Sequence, residues 1–158
     1  MEDLDSELWR SVFAPDQGTL LNIRIYGTDQ TDHEAFLELV QSRYRISYSE
    51  NGMDKALPEY EEIVQNRKFC SVRLSVDVGS IVLNSFFWDT KEINLDLLPE
   101  DIDSLPKANS VFELMKTLAS HLKKPVLLTG ENASATQEWS EQYAICVADP
   151  FSDQMSFR

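Results

Sequence analysis

The chain has 158 residues, 42% hydrophobic and 26% charged, with five Gly and six Pro, the make-up of an ordered globular protein and not of a disordered or fibrous one. Its 27 Asp and Glu oppose 14 Lys and Arg, a formal net charge of -13, which exceeds the magnitude of about 2 to 8 that solubility asks of a small domain. Such a surplus repels phosphate backbones and anionic lipid, so nucleic-acid and membrane-surface binding are excluded as expected functions and a basic protein becomes the natural partner. General solubility remains the plain alternative at this point.

The opening Met1-Glu2-Asp3-Leu4-Asp5 has neither the basic start nor the apolar core of a secretory signal. No apolar run approaches the roughly 18 residues a membrane helix needs. A soluble, cytoplasmic protein is therefore expected. Cys70 and Cys146 each lie in an apolar, strand-like setting, and read as buried small hydrophobes of a reducing compartment rather than as a disulfide. The sequon Asn132-Ala133-Ser134 would matter only in a secreted chain.

In chain order, Leu4, Leu8, Trp9 and Val12 fall at helical spacing, predicting a short amphipathic helix that Pro15 and Gly18 end. Leu21, Ile23 and Ile25 alternate with Asn22, Arg24 and Tyr26, which predicts a strand closed by Gly27. Thr31 with Glu34 forms a candidate capping box for a helix reaching Arg43, with Phe36, Leu37 and Val40 on its inner face. A strand over 44–48 follows, then a turn at Asn51-Gly52, a loop, and a short helix near Glu59, Glu61 and Glu62.

The alternation Val72, Leu74, Val76, Val78, the pair Gly79-Ser80 and the β-rich run 81–88 predict a hairpin whose turn needs positive φ at its first position. Ile93, Leu95 and Leu97 add a third strand or an extended edge. Ser110 and Glu113 form another candidate capping box, before Val111, Leu114, Met115, Leu118 and Leu122 on a helix stopped by Pro125. Short strands over 126–129 and 143–147 flank a polar loop, and the tail 149–158 is expected to fray or dock. The sum is one α+β domain over 1–158, an antiparallel or mixed sheet with a central β-hairpin packed against helices.

Chemistry-bearing patterns are sparse. His33 and His121 read as solvated or helix-edge side chains, and no Gly-x-Ser-x-Gly elbow surrounds any serine. The two cysteines lie far apart and away from both histidines, the glycines are isolated, and no calcium-loop pattern occurs. No cofactor, metal or catalytic set is therefore assigned.

Acid is concentrated over 89–103, where Asp89, Glu92, Asp96, Glu100, Asp101 and Asp103 oppose Lys91 alone. Trp88, Ile93, Leu95, Leu97, Leu98 and Ile102 are interleaved. Acids around an apolar patch combine long-range attraction at a rim with burial at a centre, so Trp88, Asp89, Glu92, Asp96, Glu100, Asp101 and Asp103 form the predicted partner-binding set. The opposing reading places the apolar residues in the core and leaves the acids as a solvated outer face.

The run Phe86-Phe87-Trp88 with Ile93-Asn94-Leu95-Asp96-Leu97, the helix holding Phe112-Glu113-Leu114-Met115, and the stretch Leu122-Lys123-Lys124-Pro125-Val126-Leu127-Leu128-Thr129-Gly130-Glu131-Asn132 together resemble small acidic bacterial immunity proteins. These belong to polymorphic-toxin and contact-dependent inhibition systems. The resemblance implies a cytoplasmic inhibitor that occludes or distorts a cognate toxin domain without turnover, its acids mimicking substrate charge if that toxin is a basic nuclease. Two other classes stay open: a small adaptor or secretion-chaperone-like protein for a basic client, and an enzyme working through carboxylates.

Overall fold

In the computed structural model, residues 2–14, 20–130, 142 and 144–157 are described. In chain order they form α1 (Glu2–Val12), β1 (Leu21–Tyr26), α2 (Gln30–Arg43), β2 (Arg45–Glu50), β3 (Met53–Lys55), α3 (Tyr60–Arg67), β4 (Val72–Val78), β5 (Ile81–Ser85), β6 (Glu92–Leu97), a 3-10 turn (Pro99–Asp101), α4 (Leu105–Leu122), β7 (Val126–Gly130), β8 (Cys146–Ala148) and β9 (Met155–Phe157). All nine strands join one sheet in the order β3-β2-β4-β5-β6-β1-β7-β8-β9. Every pairing is antiparallel, which makes the fold α+β.

The strand alternation sets which face is dry. Ile23 and Ile25, Leu74 and Val76, Leu83, and Ile93, Leu95 and Leu97 are all at most 2% exposed. They share one core cluster with Phe36 and Val40 of α2, Ile63 of α3, and Val111, Leu114, Met115 and Leu118 of α4. The helices thus cover one face of the sheet, and each large side chain buried between the layers contributes about 1.5–3 kcal/mol. The intervening residues Arg73, Ser75, Asp77, Val82, Asn84, Asn94 and Asp96 lie on the other face, exposed or half-buried.

Two hairpin turns follow from local chemistry. Asn51-Gly52 joins β2 to β3 and Gly79-Ser80 joins β4 to β5, with all four residues at positive φ, the geometry of two-residue turns whose twist matches the flanking strands. The second turn therefore needs positive φ at both central positions, not only the first. It also sits against α4: a Cβ built on Gly79 would meet the Ser110 side chain, its Cβ only 2.9 Å away.

Several boundaries differ from the sequence reading. Asp29 rather than Thr31 caps α2, its carboxylate accepting the Asp32 N–H while Asp32 returns a bond to the Asp29 N–H; an Asp pair satisfies the same orphan amides as the Thr-Glu box. Ser104 rather than Ser110 caps α4. Ser110 lies inside that helix and donates to the Pro106 carbonyl. β5 ends at Ser85 because the chain turns at Phe87, whose φ is 55.

The short strand β3 was read as loop, and β6 is an interior strand between β5 and β1 rather than an extended edge. Cys70 lies in the turn after α3 beside Phe69, which is 86% exposed, and not in a strand. Cys146 is buried on β8, five strand positions away from β4 in the sheet, about 24 Å at the usual strand spacing, and both thiols are free. The tail docks through β9 on β8. Pro15, Gly18, the sequon at Asn132, and Glu131, Glu138, Glu141 and Tyr143 lie outside the described residues.

Candidate protein-binding surface

The predicted partner-binding residues divide along β6. At its start, a loop over 86–91 carries Trp88, 69% exposed and stacked on Phe86 with ring centroids 5.6 Å apart. Asp89 is exposed beside it and closes the loop by accepting the Lys91 N–H at 2.9 Å. Glu92 and Asp96 stand on the helix-free face of the sheet, half-buried, with Asp96 in register with Asn22 and Asn84. At the far end Glu100 and Asp101 are exposed on the 3-10 turn, and Asp103 follows. A strand of this length spans about 17–20 Å. Trp88 and Asp89 therefore lie at the opposite end of the sheet from Glu100, Asp101 and Asp103, and these seven residues do not converge.

Among the described residues, Glu92 and Asp103 are ion-paired. Glu92 pairs with Arg24 at 3.2 Å, and the same guanidinium donates through Nε to the Thr129 hydroxyl at 3.0 Å, tying β6, β1 and β7 together. Asp103 lies 3.0 Å from Lys107 Nζ, one turn on. Elsewhere Glu50 serves as a structural anchor: Tyr48 Oη, Lys55 Nζ and Asn66 Nδ2 each donate to it at 2.7 Å. Those donors, Lys55 first, hold its carboxyl down at about 2.

The loop bearing Trp88 is fastened from behind by a histidine. His33, read as solvated or helix-edge, is in fact 1% exposed, because the α2 face that carries Phe36 and Val40 also turns residue 33 inward. Its Nε2 donates to the Thr90 carbonyl at 3.0 Å, and the Thr28 hydroxyl donates to the same oxygen at 2.6 Å. The Tyr60 ring stacks on the imidazole at 4.5 Å between centroids while its hydroxyl lies 2.9 Å from Thr90 Oγ1. Arg67 adds a bond to the Phe87 carbonyl from α3. Loop 86–91 is thus anchored to both α2 and α3. His121, by contrast, is exposed as expected.

Burial pushes the His33 imidazole below its ordinary value of 6.5, against the opposing pull of the Thr90 carbonyl and the nearby charges of Asp32 and Asp29. Nδ1 is buried without a hydrogen-bond partner among the described residues, which suits a ring protonated on Nε2 alone. The folded state resists the second proton that the unfolded chain accepts. Stability from this site is therefore complete above pH 6.5 and is lost as pH falls from there toward the lower folded value. The thermal midpoint is expected to drop over that window in the parent chain and to stay flatter in His33→Gln. Parallel curves for the two proteins would remove His33 as the titrating group.

Among the described residues no group of three or more His, Cys, Asp or Glu is placed to hold a metal ion, and no helix is long and apolar enough to cross a membrane.

The architecture is thus an antiparallel α+β sheet with helices on one face and an exposed aromatic loop. No family model matches the chain, and no curated protein matches it. Among solved structures, one chain of the crystal structure of the toxic C-terminal tip of CdiA from Pseudomonas aeruginosa in complex with immune protein is similar, with 11% identity and a TM-score of 0.45, over 86% of this chain and 100% of that one.

Proposed function

We propose that this chain is an immunity-type inhibitor, a cytoplasmic protein that binds a cognate toxin domain of basic character tightly, one to one, and without turnover. The carrying observation is the state of its carboxylates. Against a formal charge of -13, the cations of the described residues engage Asp32, Glu50, Glu92, Asp103, Glu113 and Asp153. Exposed acids such as Glu34, Glu38, Glu59, Glu62, Glu100 and Asp101 have no ion-pair partner among those residues. A surface held at high negative potential accelerates encounter with a cationic partner, and the resemblance of 86–132 to immunity proteins points the same way. Of the predicted interface, the end with Trp88 and Asp89 supports the reading best, since an exposed aromatic on an anchored loop is the kind of group that dominates protein interfaces.

The test is to capture the partner from the native host with the full chain, then express that partner in cells with and without this chain. Protection of growth at one-to-one stoichiometry is expected, together with an association rate that falls steeply as salt rises. A partner that remains toxic when fully bound, or that this chain alters catalytically, would overturn the reading.

A further inference from the structure

α2 exposes a groove beside the segment that leads into α3. Glu34, Leu37, Glu38, Gln41 and Ser42 form one wall and Leu57, Pro58, Glu59 and Tyr60 the other, around a cavity of about 580 Å³. The wall positions on α2 recur at the three- and four-residue spacing of one helix face, and they extend about 12 Å along its axis. Its accessible apolar surface comes chiefly from the half-buried Leu57 and Pro58, over a floor of the buried Leu37 and Tyr60, and its charged rim from Glu34, Glu38 and Glu59. Beyond Tyr60 a second cavity continues past Glu61 and Glu62 to Thr90. That brings the groove up to the loop carrying Trp88 and Asp89. Among the described residues no Lys or Arg lines either cavity, although the chain has 14 of them.

We infer that this groove is the docking site for a cationic amphipathic polypeptide segment, with apolar side chains on Leu37, Leu57, Pro58 and Tyr60 and Lys or Arg against the glutamate rim. The inference rests on the reading above and names the surface that the reading leaves unassigned. Charge decides the occupant. Nucleic acid and anionic lipid are repelled by the rim, and a second copy of this chain would bring another surplus of carboxylate to it. A cationic segment relieves the mutual repulsion of the rim glutamates, while the apolar floor supplies the burial that a bare acidic patch lacks. The sequence offers no direct signal, because the two walls are separated in the chain.

The experiment uses the full chain and a synthetic amphipathic helical peptide, Lys on one face and Leu on the other, followed by fluorescence anisotropy at low and high salt. An all-Lys peptide of equal charge serves as comparison. Reversal of the rim in the triple variant Glu34→Lys, Glu38→Lys, Glu59→Lys should weaken peptide binding by about tenfold or more. The same charge change at Glu100→Lys, Asp101→Lys, Asp103→Lys, on residues that line neither cavity, should leave binding within about twofold. Leu57→Gln should lower affinity for the Lys-Leu peptide more than for the all-Lys peptide, and backbone amide shifts on titration should centre on 30–43 and 57–65.

Equal losses in the two triple variants would mean that net charge alone attracts the peptide, and shifts centred elsewhere would place the docking surface elsewhere; either overturns the inference. Peptide binding is scored without the native partner, so the groove and the inhibitory reading fail separately.

Discussion

Truncation of Leu95 to Ala is expected to lower the unfolding free energy by about 3–5 kcal/mol, the upper range for a large aliphatic removed from a packed interior. Leu95 is fully buried at the middle of β6, in register with Ile23 of β1 and under the helical layer. The void would be walled by strands fixed on both sides, which limits collapse. Val82→Ala on the neighbouring strand removes a comparable branched side chain from the opposite face, where Val82 is 49% exposed, and is expected to change stability by no more than about 0.5 kcal/mol. Urea unfolding of the two variants, read from the midpoints at unchanged slope, measures the contrast. Similar losses would mean that the helix-free face is also covered.

The second large effect concerns the β4–β5 turn. Gly79→Ala places a Cβ at φ 59 and drives it into Ser110 on α4. The left-handed backbone costs about 1–2 kcal/mol for a residue with a side chain, and displacement of a packed turn adds about 1–3 kcal/mol. Gly52→Ala at the β2–β3 turn separates these contributions: its φ is 78, yet a Cβ there meets nothing within 4 Å, so only the backbone cost applies. Gly79→Ala is expected to lower the thermal midpoint about twice as far as Gly52→Ala. Equal shifts would show that the turn does not bear on α4.

The parts of this fold that a reader of the sequence could have drawn are those where one face is dry. Val72 to Val78 and Ile93 to Leu97 alternate because one side of each strand is in the core, and that pattern is local. The errors share a different cause. Ser104-Leu105-Pro106 and Ser110-x-x-Glu113 both satisfy the chemistry of a helix start, and only the length of the surface that α4 covers selects the earlier one. β3, with Met53, Asp54 and Lys55 all exposed, has no apolar pattern to detect, since its pairing comes from the turn before it.

His33 appeared solvated because its immediate neighbours are Asp32 and Glu34, although the groups that enclose it, Tyr60, Thr90 and Thr28, come from other parts of the chain. The candidate interface met the same difficulty. Acid is concentrated in sequence over 89–103, but concentration along the chain does not reveal which carboxylate has a counter-ion. Arg24 reaches Glu92 across 68 residues, and this pairing became visible only once β1 and β6 lay side by side. The rim acids Glu34, Glu38 and Glu59, by contrast, have no ion-pair partner among the described residues.

The place of β1 has a consequence for how the molecule is made. Its partners are β6 and β7, so Leu21 to Tyr26 must wait for residues 92–97 and 126–130 before their backbone groups are satisfied. β2 through β5 pair among themselves within residues 45–85 and can assemble before the rest of the chain is made. Synthesis thus completes the β3-β2-β4-β5 half first and leaves β1 waiting for β6. β6, at residues 92–97, joins that half to β1, and β7 to β9 are added at the other edge last, the kind of long-range closure that slows folding to roughly milliseconds or seconds.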